Sequence, residues 1–264
     1  MSRRRILVVG ALGRMGERVR AALGEHAALE LGGALEIPGH PDLGSEVAPG
    51  IQLGDDACAA LEGCDAAIVF ASPEGTLDLL RVAAEQGVPC VVGTTGFEPA
   101  QQEEIERLAG KVPLVVAANF SVAVNVLFHL AREAAARLGD GFDAEIVEIH
   151  HTAKVDAPSG TALRLGQAVA EGRGLALDEH AVLSREGHTG PRPQDAIGIQ
   201  TLRGGDNPGE HTLYFVGQGE RLELVHRSAT RDHFARGAVR AAEWVLDRAP
   251  GLYDMEQVLG LDGG

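Results

Sequence analysis

The residues best suited to chemistry lie in one short stretch, from His150 to Thr161. Two adjacent histidines, His150 and His151, are followed closely by Lys154. Imidazole and ammonium groups can donate and accept protons in general acid–base catalysis. Ser159 is a residue type that caps helices, and the first N–H groups of a helix lack intrahelical partners and can bind anions. The stretch therefore indicates an enzyme that protonates a carboxylate-bearing substrate.

Lys154 stands out because lysine is rare in this chain. Only Lys111 and Lys154 are lysines among the 23 lysine and arginine residues. Where a fixed positive charge suffices, such a chain would be expected to carry arginine, whereas a lysine can shift its pKa and release a proton. We therefore predict that Lys154 is a proton donor or a carboxylate anchor. The alternative is a solvated loop lysine.

The first half of the chain alternates between two patterns. Continuously apolar runs predict strands buried on both faces of a sheet, and the segments between them carry apolar residues at helical spacing. The predicted strands are residues 6–9, 29–35, 67–71, 88–92 and 114–117, and predicted helices include residues 17–23, 76–86 and 101–108. This alternation predicts an α/β fold with a Rossmann-like, doubly wound parallel sheet.

The pattern changes after about Phe120. We expect helices at residues 121–138 and 159–170, and strands at residues 144–150, 196–203, 211–216 and 221–227. Glycine-rich turns join the last three strands, which predicts an antiparallel meander. A final helix, residues 233–247, should return to the first domain. We thus predict a dinucleotide-binding domain of residues 1–121 and 231–264. A second, α+β domain of residues 122–230 would carry an open mixed sheet and bind the substrate.

A glycine pattern follows the first predicted strand. Gly10, Gly13 and Gly16 have the spacing G-x-x-G-x-x-G, with Leu12 at the second position of the commoner G-x-G-x-x-G. In dinucleotide-binding folds these glycines permit a tight turn, close approach of a pyrophosphate and close helix–strand packing. The pattern alone is weak evidence. Together with the preceding strand, the following helix and the acidic Glu36, it predicts a nicotinamide dinucleotide site.

Glu36 also indicates which cofactor is used. A carboxylate at the end of the second strand can accept hydrogen bonds from a ribose 2′-hydroxyl, whereas it would repel a 2′-phosphate. Ile37 follows it without a counter-charge, and Arg14 is the one nearby cation. We therefore expect NADH to be favoured over NADPH, although Arg14 leaves room for the use of both.

Two further loops are expected at carboxyl ends of strands, residues 93–97 and 117–121. Small residues and hydroxyls there suit contact with the nicotinamide ribose and amide. Each loop on its own would be ordinary loop chemistry. The predicted cofactor-binding residues are Gly10, Ala11, Leu12, Gly13, Arg14, Met15, Glu36, Gly93, Thr94, Thr95, Ala117, Ala118, Asn119 and Phe120.

Composition limits the class of protein. The chain of 264 residues is 45% hydrophobic, so it can bury a full core, and its net charge of −15 disfavours a nucleic-acid surface. Three cysteines without a C-x-x-C pair favour a reducing cytoplasm. Polar residues interrupt the apolar segment 112–131, so we expect no membrane span. The histidines lack spacings such as H-E-x-x-H, so we expect no metal.

Taken together, these motifs resemble the 4-hydroxy-tetrahydrodipicolinate reductases, also called dihydrodipicolinate reductases, of the bacterial and plant lysine pathway. The resemblance covers nearly the whole chain and rests on residues 10–16, 93–97, 118–121, 148–161 and 184–190. The block E-x-H-H-x-x-K-x-D-A-P-S-G-T, which begins at Glu148, is its most specific part.

The resemblance implies NAD(P)H-dependent reduction of 4-hydroxy-tetrahydrodipicolinate, with loss of water, by a homotetramer assembled through its second domains. It implies that His150 is the general acid/base and Lys154 a proton donor. The implied substrate-binding residues are His151, Ser159, Gly160 and Thr161. Many members carry arginine where this chain has Ile37 and Ser72. The first departure strengthens the expectation of NADH, and the second leaves the role of that arginine unfilled.

Two other classes stay open on the sequence alone. One is a dehydrogenase of an amino-acid semialdehyde, which needs a reactive cysteine or a different Lys/Asp arrangement. The other is a regulatory protein that binds NADH without turnover, in which a degraded catalytic block would be expected. The sequence also leaves open whether four basic residues reach the substrate: Arg185, His188, Arg203 and Arg231.

Overall fold

The computed structural model describes residues 2–261 and contains two compact units. One comprises the chain up to Val122 together with the part from Asp232 onward, and the other is Ala123–Arg231. The strands are β1 (Arg4–Val9), β2 (Leu29–Leu35), β3 (Glu46–Ala48), β4 (Ile51–Gly54), β5 (Ala66–Val69), β6 (Cys90–Val92), β7 (Pro113–Val116), β8 (Asp143–His150), β9 (Ala181–Val182), β10 (Ile197–Arg203), β11 (Glu210–Val216), β12 (Arg221–Arg227) and β13 (Gly251–Tyr253). The helices are α1 (Arg14–Glu25), α2 (Ala57–Leu61), α3 (Pro73–Gln86), α4 (Pro99–Ala109), α5 (Val122–Leu138), α6 (Gly160–Arg173), α7 (Leu177–His180), α8 (Asp232–Val245) and α9 (Met255–Leu259).

The first unit is built around an eight-stranded sheet in the order β13-β7-β6-β5-β1-β2-β4-β3. Its strands pair in parallel except for β3 with β4. Ile6 and Val8 of β1 belong to one buried apolar cluster, and Leu7 and Val9 belong to another. The predicted doubly wound sheet is confirmed. Strands β3, β4 and β13 escape prediction because they are short and partly exposed, so they lack the continuous apolar run that marks the buried strands.

Strand β1 lies where the order of this sheet reverses, since it pairs with β2 on one side and β5 on the other. In open parallel sheets, ligands bind outside the carboxyl ends of the strands at this point. The glycine turn, residues 10–16, leaves the carboxyl end of β1 and leads into α1. The fold therefore puts this turn at the position where a dinucleotide would be expected.

The second unit contains a five-stranded mixed sheet in the order β12-β11-β8-β10-β9. We predicted that β10, β11 and β12 form an antiparallel meander. This prediction is wrong for β10 and β11, which are not adjacent. Strand β8 lies between β10 and β11 and is parallel to β10, and only β11 and β12 form a hairpin. The turn between β10 and β11 passes over the end of β8, where Gly204 donates its N–H to the carbonyl of His150. A turn of that length need not join adjacent strands, and the long connection through α6 allows β8 and β10 to be parallel.

One face of the second sheet changes from apolar to polar along its strands. On β8, Ile146 is followed on the same face by Glu148 and His150, and all three are buried. The apolar end of this face belongs to a core that includes residues of α5 and α6. Neighbouring strands place further polar residues level with Glu148 and His150: Thr201 and Arg203 on β10, and His211 on β11. The sheet thus carries a polar end above an apolar core.

Two absences hold for the described residues 2–261. No helix there is long and apolar enough to cross a membrane. The apolar segment noted in the sequence is instead strand β7, a turn and helix α5, as predicted. Nor does that part of the chain contain a group of three or more His, Cys, Asp or Glu side chains that could hold a metal ion.

Candidate active site

The glycine turn of the first unit is shaped by close backbone contacts. Gly10 has a φ of 72°, and a Cβ there would lie 2.2 Å from the carbonyl oxygen of Phe70. A Cβ on Gly16 would lie 2.0 Å from the carbonyl oxygen of Gly10. Gly13 is the N-cap of α1, makes no side-chain capping bond and is exposed. A Cβ on Gly13 would meet only the carbonyl oxygen of Gly10, at 3.2 Å. The first and third glycines are therefore required by packing, whereas the exposed second one leaves room for a ligand.

Glu36 lies directly beside the glycine turn. Its Oε1 accepts a hydrogen bond of 2.9 Å from the backbone N–H of Leu12. The adjacent Ile37 is 64% exposed, which is unusual for a large apolar side chain. A carboxylate has about four acceptor positions, so the contact with Leu12 leaves capacity for further donors. The turn, Glu36 and the apolar side chain of Ile37 thus form one continuous surface segment.

The other predicted cofactor residues differ in exposure. Thr95 and Ala118 are exposed, whereas Ala11, Thr94 and Phe120 are buried. The Thr94 hydroxyl lies 2.7 Å from the Thr76 hydroxyl and donates to the carbonyl of Ala71, so it ties two strand-end loops together. Because its hydroxyl is bonded within the protein, Thr94 would contact a ligand through its backbone.

Phe120 serves the core of the first unit. Its ring packs edge-on against that of Phe70, with 6.1 Å between the centroids. A Cβ on Gly237 of α8 would lie 1.8 Å from the Phe120 carbonyl oxygen, so glycine is required there. Gly93 is likewise required, because a Cβ on it would lie 2.1 Å from the Phe70 ring. Packing around Phe70 thus fixes both loops after the strands.

At the polar end of the second sheet, Glu148 is the centre of a hydrogen-bond network. Its side chain is fully buried. Four residues surround the carboxylate: His150 with Nδ1 at 2.5 Å, Ser159 with its backbone N–H at 3.1 Å, Thr201 with its hydroxyl at 3.2 Å, and Arg203 with Nη1 at 2.9 and 3.0 Å. We call these five residues the Glu148 network. It joins two strands to the start of α6.

The Glu148 network controls the charges of its members. Burial raises the pKa of Glu148, but hydrogen bonds from His150 and Arg203 outweigh this and hold the pKa below its usual value. The carboxylate is therefore ionised at neutral pH. Burial lowers the pKa of His150, Glu148 partly offsets this, and the charges of Lys154 and Arg203 lower it further. The pair is thus an ionised carboxylate beside a neutral imidazole at neutral pH.

Ser159 connects the network to a second histidine. Its hydroxyl caps α6 by accepting from the N–H of Ala162 at 3.1 Å, and it lies 3.1 Å from Nε2 of His211. Burial, with the charges of His150 and His226, lowers the pKa of His211 to about 3. His211 is therefore neutral across the physiological range. The position of Ser159 at the start of α6 agrees with the predicted helix cap.

Lys154 lies in the loop between β8 and α6. Its Nζ donates to Asp156 at 2.8 Å, and its side chain is 19% exposed. That hydrogen bond lowers the pKa of Asp156. Lys154 lies close enough to His150 for its charge to act on that imidazole. Lys154 is thus a loop lysine whose ammonium group is paired with Asp156. Gly160 and Thr161 occupy the first turn of α6, with Gly160 exposed.

His151 does not join the Glu148 network. Strand β8 ends at His150, and the backbone N–H of His151 donates to the carbonyl of Asn207. The imidazole Nε2 of His151 lies 3.4 Å from the guanidinium of Arg231. The two adjacent imidazoles therefore have different partners, so they can have different tasks.

The four basic residues left open by the sequence divide into two groups. Arg203 belongs to the Glu148 network, and Arg231 lies beside His151. Arg185 forms a two-pronged ion pair with Glu145, which points to the opposite face of β8, and His188 lies in an exposed loop. Only the first two adjoin the predicted catalytic block.

Sequence reasoning missed Glu148, Thr201 and His211 as parts of the site. A signal existed for Glu148, because an acidic residue two positions before His150 must share its face of a strand. Strand pairing alone brings Thr201 and His211 beside Glu148. Ser72, where an arginine was expected from the resemblance, is the N-cap of α3 and accepts from the N–H of Gly75.

Comparison with known proteins adds independent information. Family models described as "Dihydrodipicolinate reductase, N-terminus" and "Dihydrodipicolinate reductase, C-terminus" match residues 4–120 and 123–259. The chain is 49% identical over 264 residues to proteins named 4-hydroxy-tetrahydrodipicolinate reductase from Geobacter sulfurreducens and Pelobacter propionicus. Each match covers 97% of this chain and 99% of the relative.

A solved structure shares the fold over nearly the whole length. It is a dipicolinate-bound dihydrodipicolinate reductase from Paenisporosarcina sp. TG-14, which matches with a TM-score of 0.79 and 25% sequence identity. The match covers 96% of this chain and 98% of the other. Both units of the chain therefore have counterparts in one enzyme family.

Proposed function

This chain belongs to the dihydrodipicolinate reductase family, and we propose how its residues carry out the family's reaction. It catalyses the NAD(P)H-dependent reduction of 4-hydroxy-tetrahydrodipicolinate to tetrahydrodipicolinate, with loss of water, in diaminopimelate and lysine biosynthesis. The observation that carries this conclusion is the identity of 49% across 97% of the chain. Because the chain belongs to this family, the two alternatives left open by the sequence, a semialdehyde dehydrogenase and an NADH-binding regulatory protein, are set aside.

The glycine turn suits the pyrophosphate of a dinucleotide. Gly13 is exposed and begins α1 without a side-chain cap, so the first N–H groups of the helix can meet an anion. Glu36 would hold the adenosine ribose, and backbone groups of residues 93–95 and 117–120 would hold the nicotinamide half. When bound, the cofactor supplies the hydride. In a chain with a net charge of −15, such local donors are what an anionic ligand needs.

The residues at the end of β2 favour NADH. Glu36 accepts a hydrogen bond from the N–H of Leu12, which holds its carboxylate beside the glycine turn and supports its assignment to the ribose hydroxyls. The neighbouring Ile37 is exposed and offers an apolar surface without charge. A 2′-phosphate at this point would be repelled by the carboxylate and would lack a partner on Ile37. NADPH use would then depend on Arg14.

His150 acts as the general acid/base. Hydride addition to the conjugated ring imine builds negative charge, which a proton from the enzyme neutralises, and general acids typically contribute about 10²–10⁴-fold. The imidazole is buried beside the carboxylate of Glu148. Because His150 is neutral at neutral pH, it must first take up a proton; once protonated it can donate this proton, and the ionised Glu148 stabilises its positive charge. Lys154, from the adjoining loop, is a second proton donor or an anchor for substrate charge.

The start of α6 binds the substrate carboxylates. The backbone N–H groups of Gly160 and Thr161 lie in the first helical turn, which carries partial positive charge. The Ser159 hydroxyl caps the turn and is held by His211, so the orientation of this anion site is set by the network behind it. His151, paired with Arg231, would contact a carboxylate on another side.

The test is an absorbance assay of NADH oxidation, with substrate generated from pyruvate and aspartate semialdehyde by a synthase. We expect rapid, synthase-dependent oxidation by the wild type and its collapse in Lys154→Ala, with Lys111→Ala as the control. NADPH is run in parallel. Absence of synthase-dependent oxidation would contradict the function. A kcat/KM that favours NADPH by about tenfold or more would contradict the cofactor preference.

We also propose that the enzyme is a cytoplasmic homotetramer, as the resemblance implies. The outer strand β12 carries exposed apolar side chains, among them Leu222 and Val225. Light scattering on the purified protein measures the mass of the assembly, which should be four times the 27.6 kDa of one chain. A monomeric mass at assay concentration would contradict the tetramer.

A further inference from the structure

The Glu148–His150 pair shows more than the assignment of His150 as the general acid/base. We propose that Glu148 is a positioning residue that keeps the proton of neutral His150 on Nδ1, so that Nε2 is the nitrogen that exchanges a proton with the substrate. The inference rests on the proposed role of His150 as the general acid/base.

The partners of Glu148 determine the direction of its hydrogen bonds. Oε1 receives the backbone N–H of Ser159, the hydroxyl of Thr201 and the guanidinium of Arg203. Oε2 receives the guanidinium of Arg203 and lies 2.5 Å from Nδ1 of His150. Arginine and backbone N–H groups can only donate, and an ionised carboxylate can only accept. Nδ1 of His150 must therefore carry the hydrogen of this short contact.

The opposite nitrogen of His150 faces a glycine. Gly209 has a φ of 140°, and a Cβ built on it would lie 2.8 Å from Nε2. A Cβ at that distance would clash with the nitrogen, so position 209 requires glycine. This second observation is independent of Glu148. The imidazole is thus held on its Nδ1 side, and on its Nε2 side glycine at position 209 avoids a clash.

Several charged or titratable groups face His150 besides Glu148. Arg203 comes from β10, Lys154 from the loop after β8, and His211 from β11, with its ring centroid 5.3 Å from that of His150. Arg203 and Lys154 disfavour a positive imidazole, and Glu148 favours it. Glu148 is therefore the neighbour that both orients His150 and stabilises its protonated form.

Glu148→Gln is the sharpest variant because it keeps the size of the side chain. The Ser159 N–H and the Thr201 hydroxyl contact only Oε1, whereas Arg203 contacts both oxygens. The amide oxygen should therefore occupy the Oε1 position and the NH₂ group should face His150. Nδ1 would then accept a hydrogen bond, and the proton of the neutral ring would move to Nε2. Glu145→Gln is the matched control, since Glu145 lies on the opposite face of the same strand and is also paired with arginines.

The measurement is ¹⁵N NMR of the imidazoles at pH 8 in the full-length enzyme, combined with kcat and the KM for NADH. The His150 signal is assigned by its loss in His150→Gln. We expect the Nδ1–H tautomer in the wild type and in Glu145→Gln. Glu148→Gln should show the Nε2–H tautomer, and its kcat should fall by at least about tenfold, with an unchanged KM for NADH.

Two results would overturn the inference. One is an Nε2–H tautomer in the wild type, which can be read without any variant and so does not depend on the folding of Glu148→Gln. The other is a folded Glu148→Gln that keeps the Nδ1–H tautomer and the kcat of the wild type. Failure of the proposed function is distinct, because it would appear as a wild type without synthase-dependent NADH oxidation.

Discussion

The glycine turn of the first unit and the Glu148 network of the second are built in opposite ways. The turn spans seven consecutive residues and is shaped by backbone contacts that exclude side-chain atoms at Gly10 and Gly16. The network draws its members from β8, β10 and the start of α6, and is shaped by side-chain hydrogen bonds to one buried carboxylate. A change in the turn should therefore act through steric exclusion, whereas a change in the network should act through charge and proton position.

This difference determines how each region fails. A steric error displaces backbone, so it should reduce stability and cofactor binding together. An electrostatic error in the network leaves the backbone in place, so it should reduce turnover while the cofactor still binds. Four predictions, from the largest expected effect to the smallest, apply this distinction to the turn, to Glu36 beside it, and to Lys154 and His211, which are neighbours of the network.

Gly16→Ala should be the most damaging change, because the new Cβ would lie 2.0 Å from the carbonyl oxygen of Gly10. We expect a loss of about 3 kcal/mol or more in the free energy of unfolding, and loss of NADH binding. The control is Gly24→Ala in the same helix, where a Cβ meets nothing within 4 Å. That variant should gain up to about 1 kcal/mol. Denaturant unfolding measures the stability of both variants, and titration measures their NADH binding. Equal stabilities of Gly16→Ala and Gly24→Ala would contradict the steric explanation.

Glu36→Ala should weaken NADH binding by about 1.5–3 kcal/mol, the contribution of a charge-assisted hydrogen bond. Its stability should change little, since Glu36 is partly exposed. Glu36→Gln keeps a hydrogen-bond acceptor beside Leu12 and should narrow the preference for NADH over NADPH. Calorimetric titration with both nucleotides gives the dissociation constants. An unchanged Kd for NADH would remove Glu36 from the cofactor site.

Lys154→Arg keeps the positive charge near His150 but removes an amine that can titrate. We expect kcat to fall by at least about tenfold while NADH affinity is unchanged. Lys111→Arg, at the other lysine of the chain, is exposed and should behave as the wild type. Steady-state kinetics with the synthase-coupled assay separates the two variants. A near-wild-type kcat in Lys154→Arg would mean that this residue supplies charge alone.

His211 should make stability depend on pH. Its pKa is lowered to about 3 in the folded state, so below its ordinary pKa the unfolded chain binds a proton that the native chain does not. Stability should therefore fall as the pH decreases, by about 1 kcal/mol from this group between pH 7 and pH 5.5. In His211→Gln the decrease should be smaller by that amount, while His188→Gln, in an exposed loop, should retain it. Urea unfolding at the two pH values measures the free energy of unfolding of each variant. An equal decrease in the wild type and in His211→Gln would show that His211 is not the cause.

Sequence reasoning predicts the first unit well because its information is local. Apolar runs mark the buried strands, and the strand, glycine turn and helix around residues 6–23 form a contiguous pattern. Even there, the buried Thr94 was not distinguishable from an exposed loop hydroxyl. Its hydroxyl contacts Thr76, which lies 18 positions away in the chain, and no local pattern reports such a contact.

The second unit is less predictable because its sheet is assembled by non-local pairing. Alternation of buried residues on β8 is visible in the sequence, and so is the cap at Ser159. The order of the strands is not, since a six-residue turn between β10 and β11 is compatible with adjacent strands or with one strand between them. The error in the predicted meander and the missed role of Thr201 and His211 have this same origin.

By itself, the sequence determined the fold class, the family and the residue types available for the reaction, because these depend on composition, periodicity and contiguous motifs. Tertiary structure alone decided which groups face one another. It placed Thr201 and His211 beside Glu148 through strand register, and Gly209 beside Nε2 of His150. The physical reason is that hydrogen bonds and desolvation depend on distances of a few ångströms, and the fold sets those distances between residues more than 50 positions apart.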